Sequence, residues 1–238
     1  MTADPRLIVP LDLPTVDDAR DMVERLGDAV SFYKIGLELL ASDGMTLARE
    51  LKASGKSIFL DWKLHDIGAT VERSARVLAT SGCDLLTVHA EPQVMRAAVK
   101  ARGDSSLKDS GLKILAVTVL TSLTDADLLE MGYAFGARDL VERRVRQAIE
   151  CGVDGIVSSP HEAALAREIA KEAARPDFLI VTPGVRPFWS AKNDQARAAT
   201  PEAAIRAGAS HLVCGRPITA ANDPREAALK VAAEIAGL

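Results

Sequence analysis

The feature that most constrains the fold is an alternation of short apolar runs with amphipathic stretches, repeated eight times along the chain. Each run is rich in Val, Ile and Leu, and each following stretch carries apolar residues at helical spacing. The predicted strands cover residues 7–12, 30–36, 57–63, 84–89, 112–120, 153–158, 178–183 and 211–215. The predicted helices cover residues 16–26, 45–53, 67–80, 92–101, 140–150, 161–173, 201–207 and 224–236. Such alternation is typical of a parallel sheet covered by helices.

The repeat runs the length of the chain without a long linker or a change in composition. Thr200 and Asp223 each precede a proline and are predicted to cap the last two helices. Eight units of this kind favour a closed (β/α)8 TIM barrel over an open doubly wound sheet. We therefore predict an α/β protein with a single domain over residues 1–238.

Composition narrows the class of protein further. Hydrophobic residues make up 48% and charged residues 26% of the chain, as in a globular protein with a large core. The net charge of −4 gives no broad basic field, so we expect neither nucleic acid nor a membrane as partner. No secretory signal or membrane-spanning run is evident, and three widely spaced cysteines suggest neither disulfides nor a zinc site. We expect a cytoplasmic protein.

Charged residues cluster where the first three predicted strands end: Asp12, Lys34, Asp61 and Lys63. Side chains two apart on a strand point the same way, so Asp61 and Lys63 are predicted to share one site. A single such charge is explained by an exposed rim or a structural ion pair. Several alternating charges at one barrel mouth carry a desolvation cost that indicates function. Asp66, just beyond, fits a helix N-cap equally well.

Two long stretches, residues 122–138 and 186–199, follow predicted strands five and seven. Active sites of such barrels lie on this face, so each stretch is either a lid or specificity element, or a variable surface excursion. Arg186 and Arg216 lie in the loops after strands seven and eight, beside Gly184 and Gly215. These loops commonly hold phosphate, which guanidinium groups bind well. The alternative is pairing with surface carboxylates.

The run Asp61-Trp62-Lys63-Leu64-His65-Asp66-Ile67-Gly68-Ala69-Thr70 resembles the D-x-K-x-x-D-I-x-x-T signature of orotidine 5'-monophosphate (OMP) decarboxylases. Related sugar-phosphate barrels use similar runs, so the specificity comes from further segments that follow in the family's order. These segments are Val9-Pro10-Leu11-Asp12, Tyr33-Lys34-Ile35-Gly36, Val117-Thr118-Val119-Leu120-Thr121-Ser122, Val181-Thr182-Pro183-Gly184-Val185-Arg186-Pro187 and Cys214-Gly215-Arg216-Pro217.

The resemblance implies a catalytic set of two lysines and two aspartates: Lys34, Asp61, Lys63 and Asp66. It also implies a homodimer in which three residues enter the neighbouring subunit's site: Asp66, Ile67 and Thr70. The resemblance also implies that Asp12 and Lys34 contact the ribose. Arg186, Gln195, Gly215 and Arg216 are implied at the phosphate. Further implied substrate contacts are Asp61, Pro183, and Thr121 or Ser122.

The implied reaction converts OMP to UMP and CO2 in pyrimidine biosynthesis, without metal or cofactor. Loss of CO2 from C6 leaves a poorly delocalised electron pair, so positioning and preorganised electrostatics must lower the barrier. We expect Lys63 to protonate C6, while Asp61 and Asp66 keep its ammonium charged. Phosphate contacts are expected to drive closure of residues 187–199.

Three alternatives stay open. One is an aldolase or epimerase barrel resembling hexulose-phosphate synthase, with acidic residues holding a divalent metal. Another is a noncatalytic barrel that binds a phosphate ligand. His89, at the end of strand four, fits either acid–base work or a hydrogen-bonded place in the upper barrel layer.

Overall fold

The computed structural model describes residues 3–104, 110–190 and 199–238. Eight parallel strands form a closed barrel in chain order, and β8 pairs with β1. They are β1 (Leu7–Pro10), β2 (Phe32–Ile35), β3 (Ser57–Leu64), β4 (Leu85–His89), β5 (Lys113–Val117), β6 (Gly155–Val157), β7 (Leu179–Pro183) and β8 (His211–Val213). The predicted (β/α)8 barrel is confirmed.

Helices alternate with the strands and pack on the outside of the barrel. They are α1 (Val16–Leu26), α2 (Leu37–Leu40), α3 (Gly44–Ala53), α4 (Gly68–Ala79), α5 (Pro92–Arg102), α6 (Asp125–Glu130), α7 (Ala137–Cys151), α8 (Ala163–Glu172), α9 (Pro201–Arg206), α10 (Arg216–Thr219) and α11 (Pro224–Ile235). The predicted caps are confirmed, because Thr200 and Asp223 accept hydrogen bonds from the third residues of α9 and α11. Within the described ranges, no helix is both long and apolar enough to cross a membrane.

The stretch 122–138, for which no helix was predicted, contains α6. This helix begins after Thr124 because Thr124 and Asp127 form a reciprocal capping box. The predicted fifth strand, 112–120, is also too long, since β5 ends at Val117. The chain beyond β5 instead turns across the barrel mouth, where Leu120 and Thr121 line a cavity.

Apolar side chains fill two separate layers. One layer lies inside the barrel and contains Ile8, Phe32, Phe59, Leu85, Leu115, Val181 and Val213. The larger layer packs the outer faces of the strands against the helices. Because the inner apolar layer closes the barrel interior, the inward-facing polar residues are confined to the strand ends, where they surround the mouth.

Candidate active site

A cavity of about 400 Å³ opens at the carboxyl ends of the strands. Most of the predicted site residues line it: Asp12, Lys34, Asp61, Lys63, Thr121, Pro183, Arg186, Gly215 and Arg216. Barrel closure therefore brings residues from six strand ends to one space, as the sequence pattern predicted for this face.

Asp12, Lys34, Asp61 and Lys63 form a continuous chain of alternating charges, called the charge array below. Lys34 Nζ lies 2.8 Å from Asp12 Oδ1 and 3.4 Å from Asp61 Oδ2. Lys63 Nζ lies 2.9 Å from Asp61 Oδ1, so Asp61 contacts both lysines. The Asp61 side chain is only 13% exposed, so its pairing with two ammonium groups offsets the desolvation of its charge.

The ionisation of Asp61 follows from this pairing. Burial is the largest single effect and acts to raise its pKa, since a low-dielectric site disfavours the charged form. The ammonium groups of Lys34 and Lys63, with hydrogen bonds from Lys63 and Thr87, outweigh burial. The pKa of Asp61 therefore lies below its ordinary value, and the carboxylate is ionised at neutral pH.

Asp61 and Lys63 lie within a bulge of β3. Leu60 pairs with Leu86 and Leu64 with Val88, so three residues of β3 face a single residue of β4. Lys63 has a φ of 48°, in the left-handed region that side chains rarely adopt. Simple strand alternation predicted that the two side chains meet, but the local backbone achieves it by a strained route.

Gly36 is a site residue that the sequence interpretation did not single out. A Cβ on Gly36 would lie 2.5 Å from Asp12 Oδ1 and 2.9 Å from Lys34 Nζ. Only glycine leaves room for the Asp12–Lys34 ion pair in this arrangement. Its φ of −91° is open to other residues, so the requirement is for space and not for backbone freedom.

The part of the cavity wall that follows β7 and β8, called the arginine end below, consists of Gly184, Arg186, Gly215 and Arg216. Gly184 has a φ of 80°, a conformation that favours glycine and turns the chain after β7. The Arg186 N–H donates to the carbonyl of Ala199 at 2.9 Å and so closes the base of the long loop. A second cavity, of about 320 Å³, shares Arg186 and Arg216 with the first.

A family model described as orotidine 5'-phosphate decarboxylase / HUMPS family matches residues 5–231. The chain belongs to this family. The orotidine 5'-phosphate decarboxylase of Caulobacter vibrioides (strain NA1000 / CB15N) is 88% identical over the full length of both chains. That of Rhodopseudomonas palustris (strain BisB5) is 57% identical over 97% of this chain and 94% of its own.

Solved structures agree with this assignment. The orotidine 5'-phosphate decarboxylase of Lactobacillus acidophilus superposes with a TM-score of 0.81 at 35% identity, covering 97% of this chain and 99% of its own. A Geobacillus kaustophilus protein described as an uncharacterized conserved protein gives a TM-score of 0.78 at 31% identity, covering 96% and 99%. The family resemblance stated from the sequence motifs is therefore confirmed.

Three other residues expected from the OMP decarboxylase signature do not line the cavity of their own chain. Asp66 is exposed and its Oδ1 accepts the N–H of Ile67 at 2.6 Å. The N-cap of α4 is Ile67, so the alternative interpretation of Asp66 as that cap is wrong. Ile67 is 68% exposed and Thr70 half-buried at the start of α4.

Two further residues expected at the site of a member of this family are not among the described residues that line the cavity. Ser122 is exposed and does not line the cavity, unlike Thr121. Gln195 lies outside the described residues, as does most of the loop whose closure was predicted. Both the Gln195 contact and the closure stay predictions.

His89 lies beside the charge array at the end of β4. Its ring centroid is 4.7 Å from that of His65, whose Nε2 is 3.0 Å from Glu91 Oε1. Burial, and then the neighbouring His65, lower the pKa of His89, so its imidazole is neutral at pH 7. Across the described ranges, no group of three or more His, Cys, Asp or Glu side chains has the arrangement of a metal site.

Proposed function

We propose that this protein decarboxylates OMP to UMP and CO2 in pyrimidine biosynthesis, without a metal or cofactor. The observation that carries the proposal is the charge array in the wall of a cavity that two arginines also line. The family and the names of its relatives support the substrate. The same relatives, which are metabolic enzymes, support the cytoplasmic location expected from the sequence.

Lys63 is the proposed proton donor. The C6–carboxylate bond breaks, CO2 leaves, and the electron pair left on C6 takes a proton from Lys63 Nζ. Solvent then reprotonates the lysine. Asp61 is ionised and 2.9 Å from Lys63 Nζ, so it holds and orients the lysine side chain before the reaction. The catalytic set in this proposal is Lys34, Asp61, Lys63 and, from the partner subunit, Asp66.

The rest of the substrate is assigned to the walls of the same cavity. Asp12 and Lys34 are proposed to hold the ribose hydroxyls, because both line the cavity and their 2.8 Å ion pair holds them next to each other. Thr121 is proposed to position the base in preference to Ser122, because only Thr121 lines the cavity. Pro183 provides an apolar contact at the end of β7.

The arginine end is the proposed phosphate site. Arg186 and Arg216 supply forked donors that suit phosphate oxygens, and Gly215 allows the backbone to approach the ligand. Gln195, in the loop that Arg186 closes at its base, completes the proposed set.

A homodimer is part of the proposal. Asp66, Ile67 and Thr70 follow the array in the family signature, yet they lie outside this chain's own cavity. Ile67 is a large apolar residue that is 68% exposed, and a second copy would cover it. The proposal gives these three residues to the neighbouring subunit's site.

Subunit mixing tests the shared site. Asp66→Ala and Lys63→Ala homodimers are each expected to be nearly inactive, because every site lacks one member. In a mixed dimer one site lacks both residues and the other has both, so random mixing should restore about a quarter of wild-type activity. Mixtures that stay as inactive as their parents would contradict the shared site.

The proposed reaction is tested by following ultraviolet absorbance as chelator-treated protein converts OMP to UMP. Turnover that survives chelation supports the proposal. Turnover lost on chelation and restored by Mg²⁺ would favour the metal-dependent aldolase or epimerase class. Binding of OMP without turnover, unchanged in Lys63→Ala, would favour a noncatalytic binding barrel.

A further inference from the structure

Thr87 lies in β4, directly opposite the part of β3 that carries Asp61 and Lys63. It is the one residue of β4 between the pairs Leu60–Leu86 and Leu64–Val88, opposite the three-residue bulge of β3. Its side chain is completely buried. The strand that borders the bulge therefore presents a single side-chain hydroxyl to Asp61 and Lys63.

The Thr87 hydroxyl forms hydrogen bonds with both Lys63 and Asp61. Its oxygen accepts the backbone N–H of Lys63 at 3.0 Å. Its proton goes to Asp61 Oδ1 at 3.0 Å in preference to the Leu60 carbonyl at 3.5 Å, because the ionised carboxylate is the nearer and stronger acceptor. One group thus fixes the backbone of the lysine and the carboxylate that pairs with it.

The backbone contact matters because Lys63 has a φ of 48°. A non-glycine residue in this region is strained and persists only where its surroundings hold it. The bulge interrupts the regular register around Lys63, and the Lys63 N–H donates there to the Thr87 hydroxyl. Without it, the bulge can relax and move the Lys63 ammonium away from Asp61.

We propose that Thr87 is a positioning residue for the decarboxylation, whose hydroxyl holds Lys63 and Asp61 in the geometry needed for proton transfer to C6. The inference rests on the proposed function. Thr87 does not line the cavity, so its effect is on turnover and not on substrate affinity.

A buried threonine in a strand also has an ordinary structural explanation, since its methyl packs well in a sheet. The two roles separate by substitution. Thr87→Val keeps the shape and removes the hydroxyl, whereas Thr87→Ser keeps the hydroxyl and removes the methyl. Thr182→Val is the matched control, because Thr182 is completely buried in β7 and its hydroxyl has no hydrogen-bond partner among the described residues.

The experiment measures kcat and KM for OMP with each variant and with wild type, alongside thermal unfolding. Thr87→Val should lower kcat about 10- to 100-fold, as expected for one hydrogen bond to a charged group, and change KM less than about three-fold. Thr87→Ser should stay within about three-fold of wild type, and Thr182→Val within about two-fold. If Thr87→Val does not fold, Thr87→Cys provides a similar volume with a weak donor.

Three results would overturn the inference: wild-type kcat in Thr87→Val, an equal loss in Thr87→Ser, or a loss confined to KM. Wild type serves as the reference for the function itself. If wild type does not convert OMP, the proposed function fails; if wild type and Thr87→Val are equally active, only the role of Thr87 fails.

Discussion

The charge array and the arginine end line one cavity but carry charge differently. The array contains two aspartates and two lysines, paired at 2.8 to 3.4 Å, so its formal charges sum to zero. The arginine end contributes two positive charges from Arg186 and Arg216. The array is thus assembled and paired by folding, whereas the arginine end supplies guanidinium donors whose geometry suits phosphate oxygens.

This difference predicts different kinetic consequences. Preorganised charges act on the developing carbanion, so array substitutions should lower kcat. The effect of arginine substitutions on kcat/KM should depend on whether the substrate carries a phosphate. A substitution at Gly36 and a change of pH should disturb the array less than removal of one of its lysines.

The largest effect is expected for Lys63→Ala. It removes both the proposed proton donor and a positive charge, so kcat should fall about 10³- to 10⁵-fold. Steady-state turnover at saturating OMP measures this. Lys171→Ala, which removes a surface lysine paired with Glu168, is the control and should stay near wild type. A kcat for Lys63→Ala within ten-fold of the wild-type value would contradict a catalytic role for the array.

Arg186→Ala should lower kcat/KM for OMP about 100-fold, the scale of one or two charged hydrogen bonds. For orotidine, which lacks the phosphate, the loss should be less than about three-fold. The measurement compares both substrates in wild type, Arg186→Ala and the surface control Arg206→Ala, whose guanidinium pairs with Glu202. Equal losses on both substrates would contradict a phosphate role, and an effect on KM alone would contradict coupling of phosphate binding to turnover.

Gly36→Ala should lower kcat/KM about 10-fold, because the new methyl displaces Asp12 and Lys34 from their ion pair. Gly237→Ala is the control, since a Cβ there meets nothing within 4 Å. Both variants are compared by OMP turnover and by thermal unfolding. Full activity in Gly36→Ala would show that the Asp12–Lys34 geometry tolerates displacement.

The smallest effect is a pH dependence of stability. The folded-state pKa of Asp61 lies below its unfolded value, so its stabilising contribution is present above that value and lost as pH falls through the folded pKa. The stability difference between wild type and Asp61→Asn should be constant from about pH 7 to 5 and shrink below about pH 4. Urea unfolding at a series of pH values measures it. A difference that grows on acidification would contradict the assigned shift.

The barrel and most of the cavity lining followed from the sequence. Alternating apolar runs predicted the eight strands, and the charges at the ends of β1 to β3 predicted the array. These predictions succeed because local geometry sets the direction of side chains along a strand, and closure of the barrel brings neighbouring strand ends together.

Other features of the site leave no readable signal in the sequence. Thr87 looks like an ordinary strand threonine, because the bulge that makes its hydroxyl important depends on pairing between β3 and β4. Gly36 belongs to a segment that matches the family, but its role depends on its distance to the Asp12 and Lys34 side chains, which only the folded barrel brings together. The Thr124–Asp127 capping box is different, because its spacing in the sequence is itself a signal for the start of α6.

The central claim is that the Lys63 ammonium, held by Asp61, gives its proton to C6 of OMP. Lys63→Arg tests it most directly, because guanidinium keeps the positive charge but scarcely releases a proton. UMP and CO2 formation by chelator-treated wild type and Lys63→Arg are measured together at saturating OMP. The account predicts equal amounts of the two products from wild type and a loss of about 10³-fold or more in Lys63→Arg. No UMP from wild type, or near-wild-type turnover by Lys63→Arg, would contradict it.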